Sequence, residues 1–169
     1  WDNELKPKFL TQGSFQYKTV NWPAQLPPQQ VDLDDGIYLP MVFLGDRPTI
    51  KTSTYFRVVE RAVAPLCEDK GWGLDTSKNS CIRIIISANS HIDLPLYAIP
   101  DQEFSRITKE MASMDATLNP DVYLSSYLQD FRNNIRVDSN KVMLATHDKD
   151  WISSDPQQLH DWFTRAVND

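Results

Sequence analysis

VDLDDGIYLPMV, residues 31–42, decides how the rest of the chain is read. Ile37, Tyr38, Leu39, Met41 and Val42 predict a long strand or one arm of a hairpin. Yet Asp32, Asp34 and Asp35 crowd its start, where like charges repel. Side chains at i and i+2 of a strand share a face. Asp32 and Asp34 therefore project together, with Cα atoms roughly 6.5 Å apart. Asp35 points the other way unless a bulge precedes Gly36. Two carboxylates on one face suit a hard divalent cation such as Mg2+, which takes oxygen ligands and completes its shell with water and substrate phosphates. A solvated edge strand with charges that deter pairing is the other reading of such a pair.

A second strand pair bears on that choice. CIRIIISA (81–88) and HIDLPLYAI (91–99) read as strands joined by a short turn at Asn89 and Ser90, hence a hairpin. Asp93 is out of place in so apolar a strand. If this hairpin lies beside 31–42, Asp93 joins Asp32 and Asp34, and three carboxylates can hold two metals about 3.5–4 Å apart. His91 shares a strand face with Asp93. It either touches this group or is an ordinary hydrogen-bonded strand histidine. Upstream, TQGSFQYKT (11–19) places Gly13 and Ser14 at a strand-to-helix turn. Glycine there lets backbone N–H groups approach phosphate oxygens, and the Ser14 hydroxyl can add a hydrogen bond.

Around this group the chain reads as one mixed α/β domain without repeats. WPAQLPPQQ (22–30) is a proline-rich loop. A helix is predicted near 53–70, with Tyr55, Val59, Ala62, Val63 and Leu66 on one apolar face, broken by Gly71 and Gly73. Another is predicted over 101–114, with Phe104, Ile107, Met111 and Met114 aligned. Residues 115–141 are polar, with a short helix at 122–131, and 142–145 read as a short strand. Asp155 can N-cap a last helix with Pro156 in its first turn, and Leu159, Trp162, Phe163, Ala166 and Val167 form its stripe. That stripe needs a cover, so the chain reads as part of a larger protein.

The 169 residues carry a net charge of −6. Binding nucleic acid by charge alone would call for a basic chain, so phosphates here imply a mediating cation. No apolar run reaches membrane-spanning length and no signal sequence opens the chain, which fits a cytoplasmic protein away from membranes. Cys67 and Cys81 lack metal-type spacing and read as reduced core residues. No Walker loop, Rossmann turn or nucleophile elbow is present.

TQGSFQY, DLDDGIYLPM, HIDLPLYAIP and WISSDPQQLHDWF, in that order, resemble the bacterial cGAS/DncV-like nucleotidyltransferases (CD-NTases), above all their cyclic GMP-AMP synthase branch. The likeness runs from about Leu5 to Val167. It implies an α+β polymerase-β-like nucleotidyltransferase core: a mixed sheet flanked by helices. It implies an enzyme that joins two nucleoside triphosphates, commonly ATP and GTP, into a cyclic dinucleotide messenger in anti-phage defence, releasing pyrophosphate. No nucleic acid is required. Another acceptor, a cyclic trinucleotide product or an inactive nucleotide-binding module are the alternatives. Carried over by motif, Asp32, Asp34 and Asp93 bind two Mg2+ ions, with Mn2+ as a substitute, and carry catalysis. Gly13 and Ser14 hold the donor triphosphate. Gln12 and Tyr17 flank that loop, Arg83 matches an arginine near the acceptor nucleotide, and Ser154 matches a serine near a base. Family members are longer, with a helical segment before the Gly-Ser block and a helical lobe after the last helix. Residues 1–169 are thus expected to be an incomplete nucleotidyltransferase core. A regulatory protein or metabolite is a further expected partner.

Overall fold

Alternating and continuous apolar runs give this chain a sheet with two unlike faces. The computed structural model describes residues 6–13, 30–117, 135, 137, 140–154, 162, 165 and 166. Its strands are β1 (Lys8–Gln12), β2 (Val31–Pro40), β3 (Phe43–Leu44), β4 (Arg47–Pro48), β5 (Gly73–Asp75), β6 (Cys81–Ser87), β7 (Ser90–Ile99), β8 (Met143–Thr146) and β9 (Asp150–Ser153). Its described helices are α1 (Thr52–Lys70) and α2 (Asp101–Thr117). The main sheet runs β1–β2–β7–β6–β5. β8 pairs with the end of β7 at Tyr97 and Ala98, and β9 pairs with β8. β2 and β7 are parallel, while the other pairs are antiparallel, so the sheet is mixed as expected.

One face is sealed by α1. Ile37, Ile82, Ile84, Leu94, Leu96 and Ala98 point into a core with Tyr55, Phe56 and Val59. The Tyr55 hydroxyl donates to the carbonyl oxygen of Ile37 at 3.1 Å, fastening helix to strand. No side chain of its own caps α1. Instead the Thr52 N–H donates to Asp150 Oδ1 at 3.2 Å, which supplies one orphan donor of the first turn with a partner. Gly71 ends the helix in the left-handed conformation, φ 67°, as a glycine can without strain. The buried stripe of α1 differs from expectation. Cys67 is buried, whereas Ala62 and Leu66 are exposed. The stripe follows an i, i+4 row through Tyr55, Val59, Val63 and Cys67, which inclines across the helix and leaves Ala62 and Leu66 outside it.

Among the described residues, the other face is packed at one end. There Leu10, Tyr38, Tyr97 and Ile99 pack with Ile107 of α2 and with Ile135, Val137 and Val142. Phe104 and Met111 of α2 pack against this cluster, as the helical spacing predicts. Cys67 and Cys81 are buried and free. Burial pushes both thiols up, Cys81 to about 12, so both stay protonated at neutral pH.

Several boundaries differ from the sequence reading. Val42 lies outside β2 and is 65% exposed, because the chain turns into the small β3–β4 hairpin. That hairpin, β5 and β9 were not anticipated, being too short for periodicity to register. The β6–β7 turn uses Ala88 and Asn89, and Ser90 already belongs to β7. The proline-rich loop up to residue 29, the short helix at 122–131 and most of the last helix lie outside the described residues. Of that helix, Trp162, Arg165 and Ala166 are helical and exposed. No described helix is long and apolar enough to cross a membrane.

Asp35 faces away from Asp32 and Asp34, with no bulge in the β1–β2 register, where it sits opposite Thr11. Burial raises its carboxyl from 3.8 to about 6. The folded chain therefore binds this proton more tightly than the unfolded chain, and the associated stability is lost as pH rises through about 6. Asp35→Asn should raise the melting midpoint at neutral pH and flatten its decline between pH 4 and 6. Thermal melts across that range are the measurement.

Candidate active site

The acids meet at the other end of the second sheet face. Parallel pairing sets Asp32 opposite His91 and Asp34 opposite Asp93, and the β6–β7 register sets Arg83 opposite Asp93. Neighbours across a ladder share a face. A single register therefore brings Asp32, Asp34, His91, Asp93 and Arg83 to one patch. On the other side of β2, Gln12 stands opposite Asp34. The register brings the three aspartates to one face, but among the described residues the group of closely spaced ligand atoms is Asp32, His91 and Asp93, without Asp34.

Charge is unevenly balanced in this patch. Arg83 grips Asp93 with two hydrogen bonds, Nε to Oδ1 and Nη2 to Oδ2, both 2.6 Å. Such a paired geometry is the strong form of this contact. The Asp93 hydrogen bonds push the Arg83 guanidinium further up. Among the described residues, Asp34 has no such partner. Burial first, then repulsion from Asp32 and Asp93, lifts its carboxyl from 3.8 to about 6, against opposition from His91 and Arg83. Asp32 is the exposed member, and its Oδ1 lies 3.1 Å from His91 Nε2. Among the described residues, one oxygen or nitrogen from each of Asp32, His91 and Asp93 lies within 4.8 Å of the others. The donor set fits a divalent cation: carboxylate oxygens on one side, a repelled and half-buried carboxylate beside them, and a buried imidazole with both nitrogens lacking a hydrogen-bond partner.

Gly13 closes one edge. Its φ is +62°, and a Cβ built there would overlap Asp34 Oδ2. Both the backbone and the neighbour therefore require glycine. A wall separates this patch from the apolar half of the same face. Tyr38 stacks on Tyr97 with centroids 4.8 Å apart. Gln12 donates to the Tyr38 hydroxyl and accepts from the Tyr97 hydroxyl at 3.1 Å. Burial raises the Tyr97 phenol, and nearby Ser154 tempers that rise. Gln12 and Ser154 thus reach the rim of the patch, and the Gln12 amide is occupied at both ends by tyrosines. Ser14 and Tyr17 lie outside the described residues.

A family model described as cyclic GMP-AMP synthase DncV-like, nucleotidyltransferase domain, matches residues 7–97. The chain belongs to this family. The DncV-like match spans β1 through most of β7, and so takes in Gly13, the three aspartates and Arg83. A cyclic GMP-AMP synthase from Vibrio cholerae serotype O1 is 38% identical over 94% of this chain. One from Escherichia coli strain TW11681 is 40% identical over 94% of this chain. The chain spans 38% of the length of each of these relatives. The solved structure of V. cholerae DncV with the linear intermediate 5' pppA(3',5')pG is also similar, at 38% identity and a TM-score of 0.67, covering 95% of this chain and 36% of that one. The fold is therefore that of a DncV-like nucleotidyltransferase core, as the sequence blocks imply.

The sequence left His91 open between touching this group and an ordinary strand histidine, and the structure sets it beside Asp32. Its signal was available: it sits two residues before Asp93 on the same strand face. Gly13→Ala should lower the chain's stability by about 1–2 kcal/mol through left-handed strain alone. It should also displace Asp34, so nucleotidyl transfer should fall more than stability explains. Steady-state kinetics at a temperature where the variant is fully folded would check this.

Proposed function

We propose that the chain is the metal-binding core of an enzyme that joins ATP and GTP into a cyclic dinucleotide with release of pyrophosphate. The observation that carries this reading is the register that gathers Asp32, Asp34 and Asp93 on one face of a DncV-like sheet, beside Gly13. Asp32, Asp34 and Asp93 would hold the divalent cations, Mg2+ or Mn2+. When bound, such a cation pair neutralises triphosphate charge and lowers the pKa of an attacking hydroxyl.

The remaining work belongs to the chain. Gly13 leaves room for a triphosphate to reach the backbone beside Asp34, and Ser14 would add a hydroxyl donor there. Arg83 fixes the Asp93 carboxylate by both oxygens, so Asp93 presents its remaining lone pairs in one orientation. Asp93 is then placed to accept the proton of the acceptor ribose hydroxyl as that oxygen attacks the α-phosphate. The bond between the α-phosphate and the bridging oxygen breaks, and pyrophosphate leaves. A second transfer with the nucleotides exchanged closes the ring. The tyrosine wall, with Gln12 and Ser154 at its rim, would bound the nucleotide site on one side, and Tyr17, which flanks Gly13 and Ser14 in sequence, would contact nucleotide.

The test uses the full-length protein with Mg2+ and all four ribonucleoside triphosphates, each radiolabelled in turn. Products are treated with phosphatase and separated beside an Asp32→Ala/Asp34→Ala control. A phosphatase-resistant species carrying label from both ATP and GTP, absent from the control, is expected. A product equally abundant in the control, or one that phosphatase destroys, would overturn the reading.

A further inference from the structure

His91 is the buried group that this mechanism does not use. It is 8% exposed, and neither ring nitrogen has a hydrogen-bond partner. A buried, unsatisfied polar atom in a native fold calls for an explanation. Asp32 Oδ1 lies only 3.1 Å from Nε2, well within hydrogen-bond distance, yet the two do not meet at hydrogen-bonding angles. Two donors about 2.1 Å from one six-coordinate cation stand roughly 3 Å apart when adjacent in its shell. The observed separation matches that spacing. Asp93 contributes the third atom within 4.8 Å.

We infer that His91 Nε2 is a direct ligand of the cation held by Asp32 and Asp93, and that this nitrogen biases the site toward Mn2+ over Mg2+. The inference rests on the reading of the acids given above and names the cation they select. Mg2+ prefers carboxylates, phosphates and water, and gains little from an imidazole. Imidazole nitrogen suits first-row transition ions, and Mn2+ accepts it together with carboxylates. The surroundings agree. Among the described residues, Asp32 and Asp34 on β2, Arg83 on β6 and Asp93 on the same strand are the charged groups on this face, and Ile85 opposite His91 on β6 offers no polar partner. His147 is occupied elsewhere, stacked on Phe56.

The experiment loads the full-length protein with Mn2+ in the absence of nucleotide. Electron spin-echo spectroscopy reads directly coordinated nitrogen, and the free Mn2+ signal gives affinity, with Mg2+ measured by competition. Wild type should show nitrogen modulation, and His91→Gln should lose it. His91→Gln should weaken Mn2+ by roughly tenfold or more, the usual effect of disturbing a ligand sphere, and weaken Mg2+ much less. Mn2+ bound without nitrogen modulation would overturn the inference. So would a variant that weakens both ions equally, or one that strengthens both, which would mark His91 as a cation paired with Asp32. If His91→Gln does not fold, the wild-type spectrum alone decides. A protein that binds Mn2+ without nitrogen and still makes the cyclic product leaves the proposed function standing and removes only this inference. A protein that binds no divalent ion removes both.

Discussion

Asp34→Ala should abolish nucleotidyl transfer and, in the same protein, raise the melting temperature of the metal-free chain. The two effects have one origin. Asp34 is half-buried, forms no ion pair of its own among the described residues, and is repelled by Asp32 and Asp93 more than His91 and Arg83 offset. Without a cation, its charge opposes folding, and alanine relieves that. With a cation, the same charge anchors the centre of the reaction. Losing a few kcal/mol of transition-state stabilisation there corresponds to roughly a thousandfold in rate or more. Melts in a chelator, melts in excess Mg2+ or Mn2+, and product assays together make the measurement. The divalent ion should stabilise wild type and leave Asp34→Ala nearly unchanged. An active variant, or one less stable than wild type in chelator, would sink this account.

Arg83→Met should act in the opposite direction. Removing one partner of a well-formed ion pair leaves the other charge unpaired, at about 3–5 kcal/mol when fully buried. Arg83 and Asp93 keep 24% and 13% of their side chains exposed, so a smaller loss is expected, about 2 kcal/mol. Added divalent cation should recover part of it, because the ion can take over the guanidinium's role beside Asp93. The stability gain from metal should therefore be larger in Arg83→Met than in wild type. Activity should still fall, since Asp93 loses the two hydrogen bonds that orient it. Equal metal stabilisation of both proteins would show that Arg83 and the cation do not act on the same carboxylate. Arg83→Lys separates charge from geometry: it should restore much of the stability but less of the activity, because an ammonium cannot reproduce the paired contact.

The central strands were legible because their signals are strong. The β-branched run in 81–88 and the apolar strand 91–99, joined by a short turn, allow little but a hairpin. The alternation of β2 correctly placed Asp32 and Asp34 together and Asp35 away. Charge out of place in apolar strands was the best guide to the site, and it pointed to Asp93 before any pairing was known. What sequence alone left conditional was whether β2 and β7 are neighbours, since that contact joins segments far apart in the chain. Short elements escaped for a different reason. β3, β4 and β5 contain too few residues for a period to be read, and Cys67 rather than Leu66 fills the α1 stripe because helix tilt, not spacing, sets the buried row. His91 stayed open because a strand histidine usually finds a hydrogen-bond partner. Only the packed geometry shows that this one has none.

The parallel pairing of β2 with β7 also says when the metal can arrive. Asp32 and Asp34 come from one strand, and His91 and Asp93 from another that the chain reaches only after α1, β5 and β6. No local hairpin can assemble that set. Contacts between distant segments are slow to form because the intervening chain must be closed first. A collapsed but unpaired chain would offer at most two of the ligands. Ion capture is thus a report that the central sheet is complete, and the paramagnetism of Mn2+ makes the report visible. Refolding watched through that signal should lag behind the appearance of helix, with the interval between them giving the time needed to register the two central strands.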